Sequence, residues 1–116
     1  MIGELDIYPM LENEFPLIRS DLRMIDDVKS PYKLVRCFGN FTMLNLKKGE
    51  LKASKKCFVL AERIFEEGDG SVRQAIENVF LHLLTPGIET HQFLISETSP
   101  LLLSEYKMQV PSSAGV

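Results

Sequence analysis

Residues 71–84 read SVRQAIENVFLHLL, and this stretch decides the fold class. Val72, Ala75, Ile76, Val79, Phe80, Leu83 and Leu84 recur at steps of three and four, the spacing that gathers side chains on one face of a helix. A half-buried strand would alternate with a period of two. Ser71 and Gln74 have the spacing of a capping box, in which hydroxyl and amide each satisfy a free backbone N–H at a helix start. Asp69 is a competing cap just upstream. Pro86-Gly87 is expected to end the helix.

Upstream the same period recurs. Glu50 to Glu67 carries Leu51, Phe58, Ala61, Ile64 and Phe65, and Gly68 stops it. Pro31 to Lys48 carries Leu34, Val35, Phe38 and Phe41 behind Ser30-Pro31, a capping hydroxyl followed by proline. Gly39-Asn40 falls inside that segment and predicts a bend or break, because glycine costs about 1 kcal/mol relative to alanine in a helix. Gly49 suits a left-handed helix cap. Ile7, Leu11, Phe15, Ile18, Leu22 and Ile25 form a further stripe, split by Pro16 into a segment ending near Phe15 and a second running to about Asp27. Downstream, Ile88 to Ser96 reads equally as helix or as a short strand near 91–95. Ser99-Pro100 opens a last helix, which Pro111 closes.

The expectation is therefore an all-α bundle of five or six helices with short connections. A chain of 116 residues, 45% hydrophobic and 25% charged, has the length and composition of one globular domain. The domain is placed at 1–111, with a disordered tail over 112–116. No apolar run reaches the roughly 20 residues that span a bilayer. The opening residues hold two acids by Asp6 and no base before Arg19, unlike a signal peptide. A cytoplasmic location with free, buried Cys37 and Cys57 follows as an expectation.

Catalytic signals are sparse. Gly68-Asp69-Gly70-Ser71 lacks the lysine of a phosphate loop. His82 and His91 have no ligand-spaced partner, so no metal and no cofactor is expected. A Cys-His pair would set its thiolate beside apolar stripes, where it is disfavoured. The chain reads as a binding protein, not an enzyme.

Charge, by contrast, is sorted along the chain, whose total is −3. Residues 1–27 hold seven acids against Arg19 and Arg23. Residues 28–56 hold eight bases against Glu50, and residues 57–77 five acids against Arg63 and Arg73. In the segment 50–67 Lys52, Lys55 and Lys56 crowd the start while Glu62, Glu66 and Glu67 crowd the end. Both groups oppose the helix dipole, forgoing about 0.3–1 kcal/mol per favourable contact. Lys52 with Lys56, and Glu62 with Glu66, are also like-charge i,i+4 pairs.

A structural reading sets Arg73 and the start of the next helix beside Glu66 and Glu67. A functional reading makes Glu62, Glu66, Glu67 and Asp69 an acidic surface for a basic partner, with Glu12 and Glu14 as a second choice. Two other classes compete. The lysines of 47–56 suit a nucleic-acid-binding regulator, against which stand the absence of arginine and of interleaved aromatics. A self-associating subunit would bury an exposed apolar stripe.

The run from Phe58 through Glu62, Phe65, Gly68-Asp69, Val72, Ala75-Ile76 and Phe80 to Leu81, with Glu14-Phe15-Pro16 and Pro31-Tyr32 upstream, resembles a family of small bacterial helical domains. That family has no assigned catalytic activity, and the likeness extends to immunity proteins of polymorphic and contact-dependent growth-inhibition toxin systems. The resemblance spans roughly 10–110 and brings no catalytic residues. It implies a cognate protein toxin as partner, and the acidic balance with the opposed-dipole charges adds the expectation that this toxin is basic and nuclease-like and is neutralised by occlusion of its active site.

Overall fold

Helix starts follow the capping chemistry. In the computed structural model, which describes residues 1–109, the Ser30 hydroxyl accepts from Lys33 N–H at 3.3 Å and opens α3 (Pro31–Lys47). Upstream lie α1 (Glu4–Glu14), a 3₁₀ turn at Pro16–Ile18 and the short α2 (Arg19–Leu22). Helix α2 stops well before Asp27. The chain there turns locally instead, with Asp27 Oδ1 accepting from Lys29 N–H and Lys33 Nζ reaching Asp26 at 2.7 Å.

Gly49 lies at φ +75°, and the carbonyls left over at the end of α3 are closed by Gly49 N–H to Leu46 and Glu50 N–H to Asn45. That is a Schellman end with glycine at its left-handed position. Helix α4 (Leu51–Glu67) follows directly. Asp69, not Ser71, caps α5 (Gly70–Ala75): its carboxylate accepts from Val72 N–H at 3.0 Å, and the Ser71 hydroxyl donates to it. The expected Ser71–Gln74 box is not used, because Asp69 already sits where the first free N–H groups point.

Helix α5 runs without a break through a π turn at Ile76–Phe80 into α6 (Leu81–Thr90), forming one rod. Buried side chains along it include Val72, Ile76, Phe80, Leu84 and Ile88, all four apart. In an ideal α-helix each such step drifts about 40° around the axis. The wider π turn takes up part of that drift and keeps the stripe on the core.

Pro86-Gly87 does not end the helix as expected. Pro86 and His82, whose carbonyl the proline leaves without a donor, both belong to exposed positions where water can serve. His91 then interrupts the helix, and residues 92–98 form α7 (Gln92–Thr98), not a strand. Helix α8 (Pro100–Gln109) completes the described chain. Pro111 and the tail expected over 112–116 lie outside the described residues.

The protein is all-α. Among the described residues there are seven helices, counting the rod as one, against the expected five or six. The extra element is α7, formed by the stretch that reads equally as helix or strand.

Helix α3 is the hub, packed against α1, α2, α4 and the rod. It continues without interruption through Gly39-Asn40, where a bend or break was expected, and Gly39 is buried against the rod. A Cβ there would lie 3.0 Å from Leu83 Cδ1 of the rod. Reciprocally, a Cβ on Gly87 would lie 2.6 Å from Leu46 Cδ1 and 3.3 Å from Met43 Sδ of α3. The ring of Phe80 sits between Phe38 at 5.2 Å and Phe58 at 5.8 Å, and Phe15 stacks on Phe38 at 5.9 Å. Leu51, expected in the core, is exposed at the start of α4.

Every buried side-chain nitrogen and oxygen among the described residues has a hydrogen-bond partner. Because a Cβ at Gly87 already crowds Leu46 and Met43, Gly87→Val should lower stability by about 2 kcal/mol through overpacking, read by urea unfolding. Gly70→Ala, which meets open space, should leave it unchanged or slightly raised.

Candidate functional site

The six acids singled out by charge do not share one surface. Glu62, midway along α4 and half-buried, turns inward to the start of α8. Its Oε1 accepts from Leu101 N–H at 2.7 Å and Leu102 N–H at 3.0 Å. A carboxylate from one helix thus caps another, where the dipole favours negative charge. Beside it the buried Ser99 hydroxyl donates to the Phe58 carbonyl at 2.8 Å, so α4 holds the α7–α8 junction at two points. Sequence reasoning missed this role, since Glu62 and Leu101 are 39 residues apart.

At the far end of α4 the chain start lies alongside the α4–α5 turn. Ile2 N–H donates to the Glu67 carbonyl and Asp69 N–H to the Ile2 carbonyl, each at 2.8 Å, a single parallel bridge. It sets the first turn of α1, with Glu4 and Asp6, next to Glu66, Glu67 and Asp69. A Cβ on Gly3 would be 3.5 Å from Asp69 Oδ2 and 3.7 Å from Asp6 Oδ2.

Two segments more than 60 residues apart so build one acidic corner. Glu4, Asp6, Glu66 and Glu67 are exposed there. Glu67 meets Arg63 of its own helix at 3.6 Å, an exposed contact of little energetic weight. Arg73 does not neutralise Glu66 and Glu67 as the structural reading expected. It lies over the Phe65 ring at 4.3 Å and near Glu77 at 3.5 Å. Backbone N–H of Val72 and the Ser71 hydroxyl hold the Asp69 carboxyl below its ordinary 3.8, so it stays ionised at neutral pH.

Glu12 and Glu14 belong elsewhere, because the two ends of α1 lie by opposite ends of α4. Glu12 is half-buried. Glu14 sits on the rim of a 360 Å³ groove beside Lys52, Lys55, Lys56 and Arg63, with Val59 and Leu60 as its floor. Lys56 Nζ lies 5.6 Å over the Phe15 ring. None of the three lysines makes an ion pair with a described carboxylate. The crowding of like charge at the start of α4 is therefore met by no described ion pair, and Glu14 is the carboxylate that shares its groove.

A second recess of 410 Å³, between α2 and α3, is lined by Asp21, Arg36, Cys37 and Phe41 among others. Burial pushes the Cys37 thiol up to about 11, with Asp21 adding to the shift, and burial pushes Cys57 to about 11 as well. Both are free and protonated at neutral pH, hence poor nucleophiles. Cys57 is buried as expected, whereas Cys37 is only half-buried. Among the described residues no three His, Cys, Asp or Glu side chains converge to hold a metal ion. No described helix is long and apolar enough to cross a membrane.

A family model described as a domain of unknown function (DUF7674) matches residues 8–110, and the chain belongs to that family. No curated protein and no solved structure matches the chain.

Two outcomes follow from this geometry. Glu62→Ala keeps a good helix former in α4 but strips the cap from α8, and should cost about 1–2 kcal/mol in chemical unfolding. Asp69 has a lowered folded-state pKa, so its stabilisation is present above about 3.9, the unfolded carboxyl value, and is lost as pH falls through the folded one. Asp69→Asn keeps a capping oxygen and should flatten that acid limb of a stability–pH profile while leaving the neutral limb in place.

Proposed function

We propose that this member of the DUF7674 family is a non-catalytic, protein-binding domain of the immunity type. It neutralises a basic, nucleic-acid-cleaving protein toxin by covering the active site with an acidic surface. The observation that carries this reading is the Ile2–Gly68 bridge, which draws the acids of the first turn of α1 to those at the end of α4. Isolated surface carboxylates chiefly keep a protein soluble, whereas a concentrated field steers an oppositely charged partner and selects it.

The surface differs from the one expected from sequence. Glu62 leaves it, Glu12 and Glu14 lie apart from it, and Glu4 and Asp6 join Glu66, Glu67 and Asp69. The resemblance to immunity proteins supports the class of partner, and the exposed acidic corner supports the mode of binding. Complementary charge of this kind acts mainly on association rate and is weakened by salt.

The test is affinity capture from a lysate of the encoding organism, washed at low salt after nuclease treatment. The expected result is one stoichiometric basic protein, released by salt, whose association rate falls at least tenfold with the Glu4→Lys/Glu66→Lys variant. Both positions are exposed, so the variant should fold normally. A partner bound equally well by that variant, with the same salt dependence, would refute the acidic-corner assignment.

A further inference from the structure

The groove between the end of α1 and the first turns of α4 carries the opposite charge to the acidic corner and meets it at one end, where Arg63 reaches Glu67 at 3.6 Å. We propose that it is a docking site for an acidic peptide segment of a protein partner, one that presents an aliphatic side chain among its carboxylates.

Charge complementarity names the acid. Lys52, Lys55 and Lys56 share the groove with one carboxylate, Glu14, and have no described ion-pair partner, while Arg63 at its far end is met by Glu67. They stand on the positive end of a 17-residue helix whose cap position, Glu50, makes no side-chain capping bond. An occupant bearing carboxylates would relieve both the mutual repulsion and the dipole.

The floor names the aliphatic group. Val59 is 53% exposed beside the nearly buried Leu60, between the lysines and Arg63. A phosphate backbone has nothing to place there. The one ring nearby, Phe15, is buried beneath Lys56 and offers no face for a base to stack on. From Lys52 to Arg63 the basic stripe runs about 16 Å along the helix, room for three turns of a bound helix or about five extended residues.

The experiment selects a random library of peptides, each about twelve residues long, on the intact protein at low salt. Enriched sequences should combine an excess of Asp and Glu with Leu, Ile, Val or Phe. A fluorescent enriched peptide should bind at least tenfold more weakly to Lys52→Glu/Lys56→Glu and several-fold more weakly to Val59→Ser. It should resist displacement by an oligothymidylate of similar length and by anionic lipid vesicles. Lys52→Glu alone should melt no lower than the wild type, since it complements the helix dipole and pairs with Lys56, and should itself weaken binding several-fold, a loss that cannot be laid to unfolding. Enriched peptides without acidic excess, affinity that survives the charge reversal, or displacement by the oligonucleotide or the vesicles would each overturn the proposal.

Discussion

The crossing of α3 with the α5–α6 rod is the contact on which the other elements depend. Each helix offers a glycine where the other offers leucine: Gly39 receives Leu83, and Gly87 receives Leu46 with Met43. Helices that meet through small residues approach closely, and here that approach brings Phe38 and Phe80 to 5.2 Å. Phe80 then reaches Phe58 of α4, and Phe38 reaches Phe15 before the 3₁₀ turn. Three aromatic contacts of this type contribute about 0.5–1.5 kcal/mol each beyond the area they bury. They tie four parts of the chain to one crossing, and the π turn lets the rod keep its stripe turned toward it.

Helix α4 takes its place on this frame and becomes the element with three duties. Its buried face, including Phe58, Ala61, Ile64 and Phe65, completes the core. Its middle, through Glu62 and the Phe58 carbonyl, anchors α8. Its exposed ends carry opposite charge, bases at the start and acids at the finish, each against the local dipole. A helix ordered for its own stability would carry the reverse arrangement. The reverse is absent from both ends. Glu62 is accounted for by an internal bond, and the remaining charges face solvent, which is why the two ends are read as separate surfaces for partners of opposite sign.

Much of the fold was legible because its signals are local. The steps of three and four in 72–84 report one helical face, Ser30-Pro31 reports a start, and Gly49 a left-handed end. The failures share a cause. Gly39-Asn40 and Pro86-Gly87 look like breaks to any local rule, yet each glycine serves a neighbour more than 40 residues away. Ser71 and Asp69 both had capping chemistry, and only the path of the turn chose between them. One signal was available and unread: the buried run Val72, Ile76, Phe80, Leu84, Ile88 steps by four throughout, more than an ideal α-helix sustains on one face. The acidic surface was less legible, since sequence distance grouped Glu62 with Glu66 and separated Glu4 from both.

The sequence by itself determined the all-α class, the main helices, most of their caps and the sorting of charge into blocks. Each of these follows from interactions within about four residues, where backbone geometry alone sets the neighbours. Only the tertiary structure decided which acids stand together, which one is turned inward, and which bases are left without a described ion pair. Those outcomes rest on pairings such as Ile2 with Gly68 and Glu62 with Leu101, between residues distant in the chain. No helical period encodes such pairings, because they exist only after the core has set the helix ends side by side.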